Sequence, residues 1–111
     1  MPANTQILLD QALGGSDSAR GMLLESYSSY LHLLARVQIG RRLQGKVDAV
    51  DLVQETFLEA HRQFTHFRGR SEPELTAWLR TILAGRMALL VRQFIGTRAR
   101  DVRLEKELGQ E

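Results

Sequence analysis

The residues of this chain that could do chemistry form two groups of opposite charge, and neither group is typical of a catalytic centre. The acidic group consists of Asp51, Glu55 and Glu59, which follow one another at four-residue intervals. This spacing places the three carboxylates on one side of a helix. Carboxylates in open water have no reason for the split pKa values of an acid–base pair. The stripe either serves solubility or docks a basic partner.

The second group is basic and lies in a predicted loop. Phe67, Arg68 and Arg70 come directly before Ser71, where the pattern indicates the start of a helix. An aromatic ring, two guanidinium groups and the positive end of a helix dipole together suit the binding of nucleic acid. For Phe67 the alternative is that its ring anchors the loop to the core.

Sequence signatures of enzymes and metal sites are missing. His32, His61 and His66 do not form the H-E-x-x-H pair that binds zinc, and the chain has no Cys. There is no phosphate-binding glycine loop and no nucleophile elbow. We therefore predict that the chain is not an enzyme and binds no metal or cofactor.

The two charged groups must be positioned by helices, because apolar residues recur at helical spacing through almost the whole chain. We predict a first helix over residues 5–13. A second covers about residues 18–42, with a break around residues 27–30. A third runs over residues 48–64, and a fourth over residues 71–95.

Local signals mark the ends of the later helices. Asp48 is the predicted N-cap of the third helix. Ser71 and Glu74 have the spacing of a capping box at the start of the fourth helix, with Pro73 in its first turn. Gly96 is predicted to end that helix. Residues 97–111 would then form a charged tail or the start of a linker.

The apolar pattern also predicts which side chains are buried. The predicted core positions are Ile7, Leu8, Ala12, Leu13, Leu23, Leu24, Tyr27, Leu31, Leu34, Val37, Val50, Val53, Phe57, Ala60, Phe64, Leu75, Trp78, Leu79, Ile82, Leu83, Leu89, Leu90 and Phe94. On the fourth helix the opposite side carries Arg80, Ala84 and Arg92. Its small central residues would admit either a nucleic-acid backbone or a second helix. Arg86 falls among the apolar positions, so it must reach solvent or find a partner.

Length and composition indicate one small, mainly helical domain. The chain has 111 residues, of which 43% are hydrophobic and 25% charged. Residues 48–59 carry four acids and no base, whereas residues 61–103 carry nine Arg against three acids. This asymmetry predicts two electrostatic faces. Without Cys, signal peptide or membrane-spanning run, we expect a cytoplasmic protein.

The motif D-L-V-Q-E-T-F at residues 51–57 is the most specific in the chain. Together with F-R-G at residues 67–69 and W-L-x-x-I-L at residues 78–83, it resembles region 2 of bacterial sigma factors of the extracytoplasmic-function type. The resemblance covers roughly residues 5–100. It implies an all-α fold, a compact three- to four-helix bundle of the sigma region 2 type over residues 1–96.

The resemblance also implies a transcription initiation factor that binds RNA polymerase core. By this resemblance, the side of the third helix that carries Asp51, Gln54, Glu55 and Glu59 docks on the clamp helices of the largest polymerase subunit. We call these four residues the acidic face. A rigid helix with exposed carboxylates suits a basic partner, because it supplies both electrostatic steering and register.

The promoter would be bound by the basic half of the chain. The resemblance implies that the loop from Phe67 to Glu72, which contains Arg68, Arg70 and Ser71, captures an unstacked base of the non-template strand of the −10 element. The fourth helix, with Arg80, Ala84 and Arg92, would contact the adjacent strand. Capture of a base that has left the stack favours strand opening, because its free energy offsets part of unpairing.

Two other functions remain open on the residues alone. The chain could be a protein-interaction module that is held by an anti-sigma factor or that only docks on polymerase. Such a module needs the acidic face but not the arginines. It could also be a helix-turn-helix repressor, although the sequence shows no short helix and tight turn before a recognition helix that begins with base-reading side chains.

Overall fold

The computed structural model describes residues 4–41 and 43–107, and over these residues the fold is all-α, as predicted. In chain order the α-helices are α1 (Thr5–Leu13), α2 (Asp17–Glu25), α3 (Ser28–Ile39), α4 (Ala49–Gln63) and α5 (Glu72–Glu107), with a 3₁₀ turn at Phe64–His66 between the last two. The broken second helix of the prediction corresponds to α2 and α3.

The break between α2 and α3 occurs at Ser26 and Tyr27, at the start of the predicted window. The hydroxyl of Ser26 donates to the Leu23 carbonyl oxygen at 2.5 Å. Tyr27 is buried, and its hydroxyl lies 3.2 Å from the Thr76 hydroxyl on α5. The turn therefore places a large aromatic ring in the core and links it to the last helix.

Capping side chains fix the beginnings of α2 and α4. The Ser16 hydroxyl accepts a hydrogen bond from the Ala19 amide at 3.1 Å. The Asp48 carboxylate accepts one from the Val50 amide at 2.8 Å, which confirms Asp48 as the N-cap of α4. Each cap satisfies a backbone donor that has no partner within its helix.

The prediction that Gly96 ends the last helix is wrong, because α5 continues to Glu107. One glycine inside a helix costs only about 1 kcal/mol relative to alanine. The sequence after it, rich in Arg, Glu and Leu, consists mostly of good helix formers. A lone glycine without a following proline was therefore too weak a stop signal.

The core joins all five helices, with α1 against α2 and α4 against α5. Leu9, Leu31, Leu52 and Leu79 are fully buried within it. Several predicted core residues are instead exposed, namely Ile7, Leu13, Val37, Val50 and Leu89.

These errors share a cause, which α4 illustrates. Its buried side is formed by Leu52, Val53, Thr56 and Ala60 rather than by a line starting at Val50. A buried threonine is tolerated there because its hydroxyl donates to the Leu52 carbonyl oxygen at 2.8 Å. The helix is thus rotated so that a polar position of the sequence pattern faces inward.

Within the described part of the chain, none of the helices combines the length and the apolar character needed to cross a bilayer.

Candidate functional site

The loop between the 3₁₀ turn and α5, residues 67–71, is called here the arginine loop. It starts at Phe67, whose side chain is only 7% exposed. The Phe67 ring lies 5.1 Å from the Trp78 ring and 6.0 Å from the Phe64 ring, measured between centroids. The ring is therefore an anchor of the loop, and in this conformation it offers no free surface on which a base could stack.

Gly69 lets the arginine loop pass close to α5. A Cβ atom at this position would lie 2.7 Å from the Glu74 Cβ and 2.7 Å from the Phe67 Cζ. Such separations are well inside van der Waals contact. No residue with a side chain fits there unless the anchor ring or the first turn of α5 moves.

The predicted capping box is present at the start of α5 and holds the end of the loop. The Glu74 carboxylate accepts hydrogen bonds from the Arg70 amide at 3.0 Å and the Ser71 hydroxyl at 2.9 Å. The Ser71 hydroxyl in turn accepts from the Glu74 amide at 3.3 Å. The bond from the Arg70 amide, followed by that from Ser71, holds the pKa of Glu74 below its ordinary value.

A third tie comes from α1. The Gln6 side-chain amide donates to the Arg70 carbonyl oxygen at 3.0 Å. With Asp10, Leu13 and Gly14, the loop lines a concavity of about 500 Å³. The loop backbone is thus held from three sides.

The guanidinium groups of Arg68 and Arg70, by contrast, are exposed. Neither has an ion-pair partner among the residues that the structure describes. The predicted pair of free cations is therefore present, on a loop whose backbone is fixed. Such a pair is ready to meet phosphate.

On α4 the acidic face divides into two parts. Asp51 and Gln54 are exposed, whereas the Glu55 side chain is 42% exposed and that of Glu59 is 16% exposed. Arg86 of α5 bridges the two inner carboxylates, with Nη2 at 3.0 Å from Glu55 Oε2 and Nη1 at 3.9 Å from Glu59 Oε1. The predicted need of Arg86 for a partner is met by this pairing.

Glu59 is the least available member of the acidic face. Besides Arg86, it accepts hydrogen bonds from Arg62, at 2.6 Å, and from the Gln63 amide. A carboxylate satisfied in this way has little left to offer a partner. The free acidic surface therefore centres on Asp51, close to the N-terminus of α4.

Apolar side chains flank this free surface, and sequence reasoning missed them. Val50 is 53% exposed and Leu58 is 60% exposed. Leu58 follows Asp51 by seven residues and Gln54 by four, so the three lie on one side of α4. The spacing of Asp51, Gln54 and Leu58 is visible in the sequence, but the apolar pattern predicts a core position for Val50. These exposed apolar groups add area that a protein partner could bury.

On α5, Arg80, Ala84 and Arg92 are exposed, so their side of the helix faces solvent rather than another described helix. Arg92 also contributes to a groove of about 310 Å³ between α4 and α5. The groove is lined by Trp78, Ile82, Gly85, Arg86, Leu89 and Arg92 on α5 and by Glu59 and Gln63 on α4. No sequence pattern indicated this groove, because it depends on how two helices far apart in sequence pack together.

No set of three or more His, Cys, Asp or Glu side chains in the described part of the chain is arranged to hold a metal ion.

The candidate site consists of two charged surfaces at opposite ends of α4. Asp51 lies in the first turn of that helix, and the arginine loop begins one 3₁₀ turn after its end.

The family model for sigma-70 region 2 matches residues 26–93, which is more than half of the chain. The chain belongs to the sigma-70 region 2 family. The match contains α4, the arginine loop and most of the buried part of α5. This region of a sigma factor takes part in RNA polymerase binding and −10 promoter recognition, and it is not a known family of enzymes. No curated protein and no solved structure matches the chain significantly.

Proposed function

We propose that this chain is region 2 of an extracytoplasmic-function sigma factor and that it acts in the cytoplasm on RNA polymerase and promoter DNA. In this proposal the acidic face docks on the clamp helices of the largest polymerase subunit. The arginine loop and the exposed side of α5 hold the non-template strand of the −10 element. Residues 1–96 form the functional domain, and the rest leads away from it.

The observation that carries the docking proposal is the exposure of Asp51 and Gln54 on a capped, well-packed helix. The first turn of α4 is fixed, so the two side chains are presented in a constant geometry. Exposed Val50 and Leu58 add apolar area beside them. A basic coiled-coil surface would meet charge, hydrogen-bonding groups and methyl groups on one helix side.

The DNA proposal is supported by the free guanidinium groups of the arginine loop. Proteins bind single strands through phosphate contacts as well as base stacking, and each lost phosphate contact lowers the salt slope by about 0.7. Phe67 is not part of the proposed contact surface, because its ring is packed against Trp78. Its contribution is to fix the loop from which Arg68 and Arg70 reach the strand.

Docking is tested by capturing core polymerase with the full chain carrying Asp51→Lys. The matched control is Glu25→Lys, which makes the same charge change at an exposed position of α2. We expect the Asp51 variant to bind core at least about tenfold more weakly, because a close charge pair becomes a like-charge contact. Equal capture by both variants would contradict docking through the acidic face.

DNA binding is tested with a −10-like single strand, alone and with core polymerase present. Arg68→Ala combined with Arg70→Ala should weaken binding and flatten its salt dependence, whereas Arg41→Ala, an exposed arginine in the α3–α4 connection, should not. An unchanged slope would favour the alternative in which the chain is only an interaction module. Tight footprinting of duplex DNA by the chain alone would favour a repressor.

A further inference from the structure

Arg86 contacts the acidic face through Glu55 and also lines the groove between α4 and α5. It stands at a position that helical periodicity gives to apolar residues, and its side chain is 27% exposed between α4 and α5. The guanidinium is held on one side by Glu55. Its Nε is buried and has no hydrogen-bond partner.

The same side chain lines the groove that Arg92, Trp78 and Leu89 also form. Gly85 beside it has no side chain, and the space where a Cβ would stand is open. The adjoining groove of about 310 Å³ offers space to a guanidinium that leaves Glu55. Its buried Nε–H would then be able to reach an acceptor, which it lacks in the paired state.

The two carboxylates that face Arg86 differ in how much they depend on it. Glu59 keeps Arg62 and Gln63 as partners if Arg86 leaves. Glu55, among the described residues, has an ion pair only with Arg86, with Nη2 at 3.0 Å from Oε2. Its side chain is 42% exposed. Partly exposed ion pairs are weak enough to be exchanged for another partner. A cationic surface that docks on the acidic face competes with Arg86 for Glu55.

We propose that the Arg86–Glu55 ion pair is a clasp that couples docking of a cationic protein surface on α4 to anion binding in the α4–α5 groove. When the clasp is closed, Arg86 is neutralised mainly by Glu55 at 3.0 Å, while Glu59 lies farther away at 3.9 Å. When a partner takes Glu55, Arg86 is released to bind a backbone phosphate beside Arg92. By linkage, phosphate in the groove also frees Glu55 for the partner. Arg86 thus opposes docking while it is paired with Glu55, and this inference rests on the function proposed above.

The clasp is tested with Glu55→Gln in the full chain, and Asp51→Asn is the matched control. Both variants remove one negative charge from the same side of α4, but of these two residues only Glu55 contacts Arg86. At about 0.1 M salt, where distant charges are screened, Glu55→Gln should bind a −10-like single strand about threefold to tenfold more tightly than wild type. Asp51→Asn should change the affinity by less than about twofold.

A second substitution identifies the cation responsible. Arg86→Met keeps an apolar side chain at this position of α5 and removes the charge. Added to Glu55→Gln, it should cancel the gain in affinity, whereas Arg86→Lys should retain most of it. Equal affinities for Glu55→Gln and Asp51→Asn, or a gain that survives Arg86→Met, would overturn the clasp.

A measurement without DNA separates this inference from the proposed function. Rotation about the Arg86 Nε–Cζ bond, followed by NMR of the side chain, should be slow in wild type and faster in Glu55→Gln. Asp51→Asn should leave it unchanged, and an equally fast rotation in wild type would contradict the clasp. Failure of every form to bind the single strand, even with polymerase, would contradict the proposed function and with it the coupling to phosphate.

Discussion

In the arginine loop, contacts to neighbouring residues hold the backbone, and the charged side chains have no ion-pair partner among the described residues. On α4, by contrast, some of the charged side chains are themselves engaged in ion pairs. Phe67, Gly69 and the Glu74 carboxylate fix the path of the loop, and the exposed side chains of Arg68 and Arg70 have no ion-pair partner among the residues that the structure describes. Glu55 and Glu59 are instead engaged by Arg86.

The difference shows how a small domain can present charge in two ways. A loop has no internal hydrogen-bond ladder, so its geometry must come from anchors that are not themselves contact residues. A helix supplies its own geometry, so its side chains can also take part in internal ion pairs. Loss of an anchor should therefore damage the loop more than loss of one of its arginines.

The largest expected effect comes from removing the aromatic anchor. Phe67→Ala should lower the free energy of unfolding by about 3 kcal/mol, because it empties a buried site between two rings. Arg68→Ala, one residue away and exposed, should change it by less than about 0.5 kcal/mol. Urea denaturation of the two variants makes the comparison. If both lose the same stability, Phe67 is not the anchor.

A smaller loss is expected where the loop passes α5. Gly69→Ala should lower the free energy of unfolding by about 2 kcal/mol, because its Cβ would overlap the Phe67 ring and the Glu74 side chain. Gly85→Ala provides the control, since its Cβ meets open space in mid-helix and should be neutral or stabilising. Equal stability of the Gly69 variant and wild type would show that the loop is not held close to α5.

The smallest effect concerns the capping carboxylate and depends on pH. The folded state lowers the pKa of Glu74, so the ionised group stabilises folding above its unfolded pKa of about 4.3. This contribution is lost as the pH falls through the lower folded pKa. At pH 7, the wild-type protein should therefore unfold at a higher urea concentration than Glu74→Gln. The difference between the two unfolding midpoints should disappear as the pH is lowered. A difference that does not change with pH would contradict the role of the charge.

Much of the fold followed from local signals in the sequence. The bounds of α1, the Asp48 cap and the Ser71–Glu74 capping box depend on residues within one turn of each other, and each is present as predicted. The stop at Gly96 failed because its strength depends on the sequence that follows it.

The errors in the core came from helices with apolar residues on more than one side. In α1, Ile7, Leu8 and Leu9 are consecutive, and only the packing against α2 selects Leu9 as the buried one. The orientation of Glu59 depends on Arg86, which lies 27 residues farther along the sequence. No periodic pattern reports such a partner. The sequence therefore predicts that an acidic and a basic surface exist better than it predicts which of their residues are exposed and unpaired.

The most direct test of the account is hydroxyl-radical footprinting of the full chain bound to core polymerase, before and after a −10-like strand is added. The reporters are exposed side chains: Val50 and Leu58 on α4, Met22 on α2, and His66 beside the arginine loop. Core alone should protect Val50 and Leu58 and leave Met22 and His66 at their free rates, and addition of the strand should then protect His66. Oxidation of Leu58 at an unchanged rate, with Met22 protected instead, would contradict docking through α4.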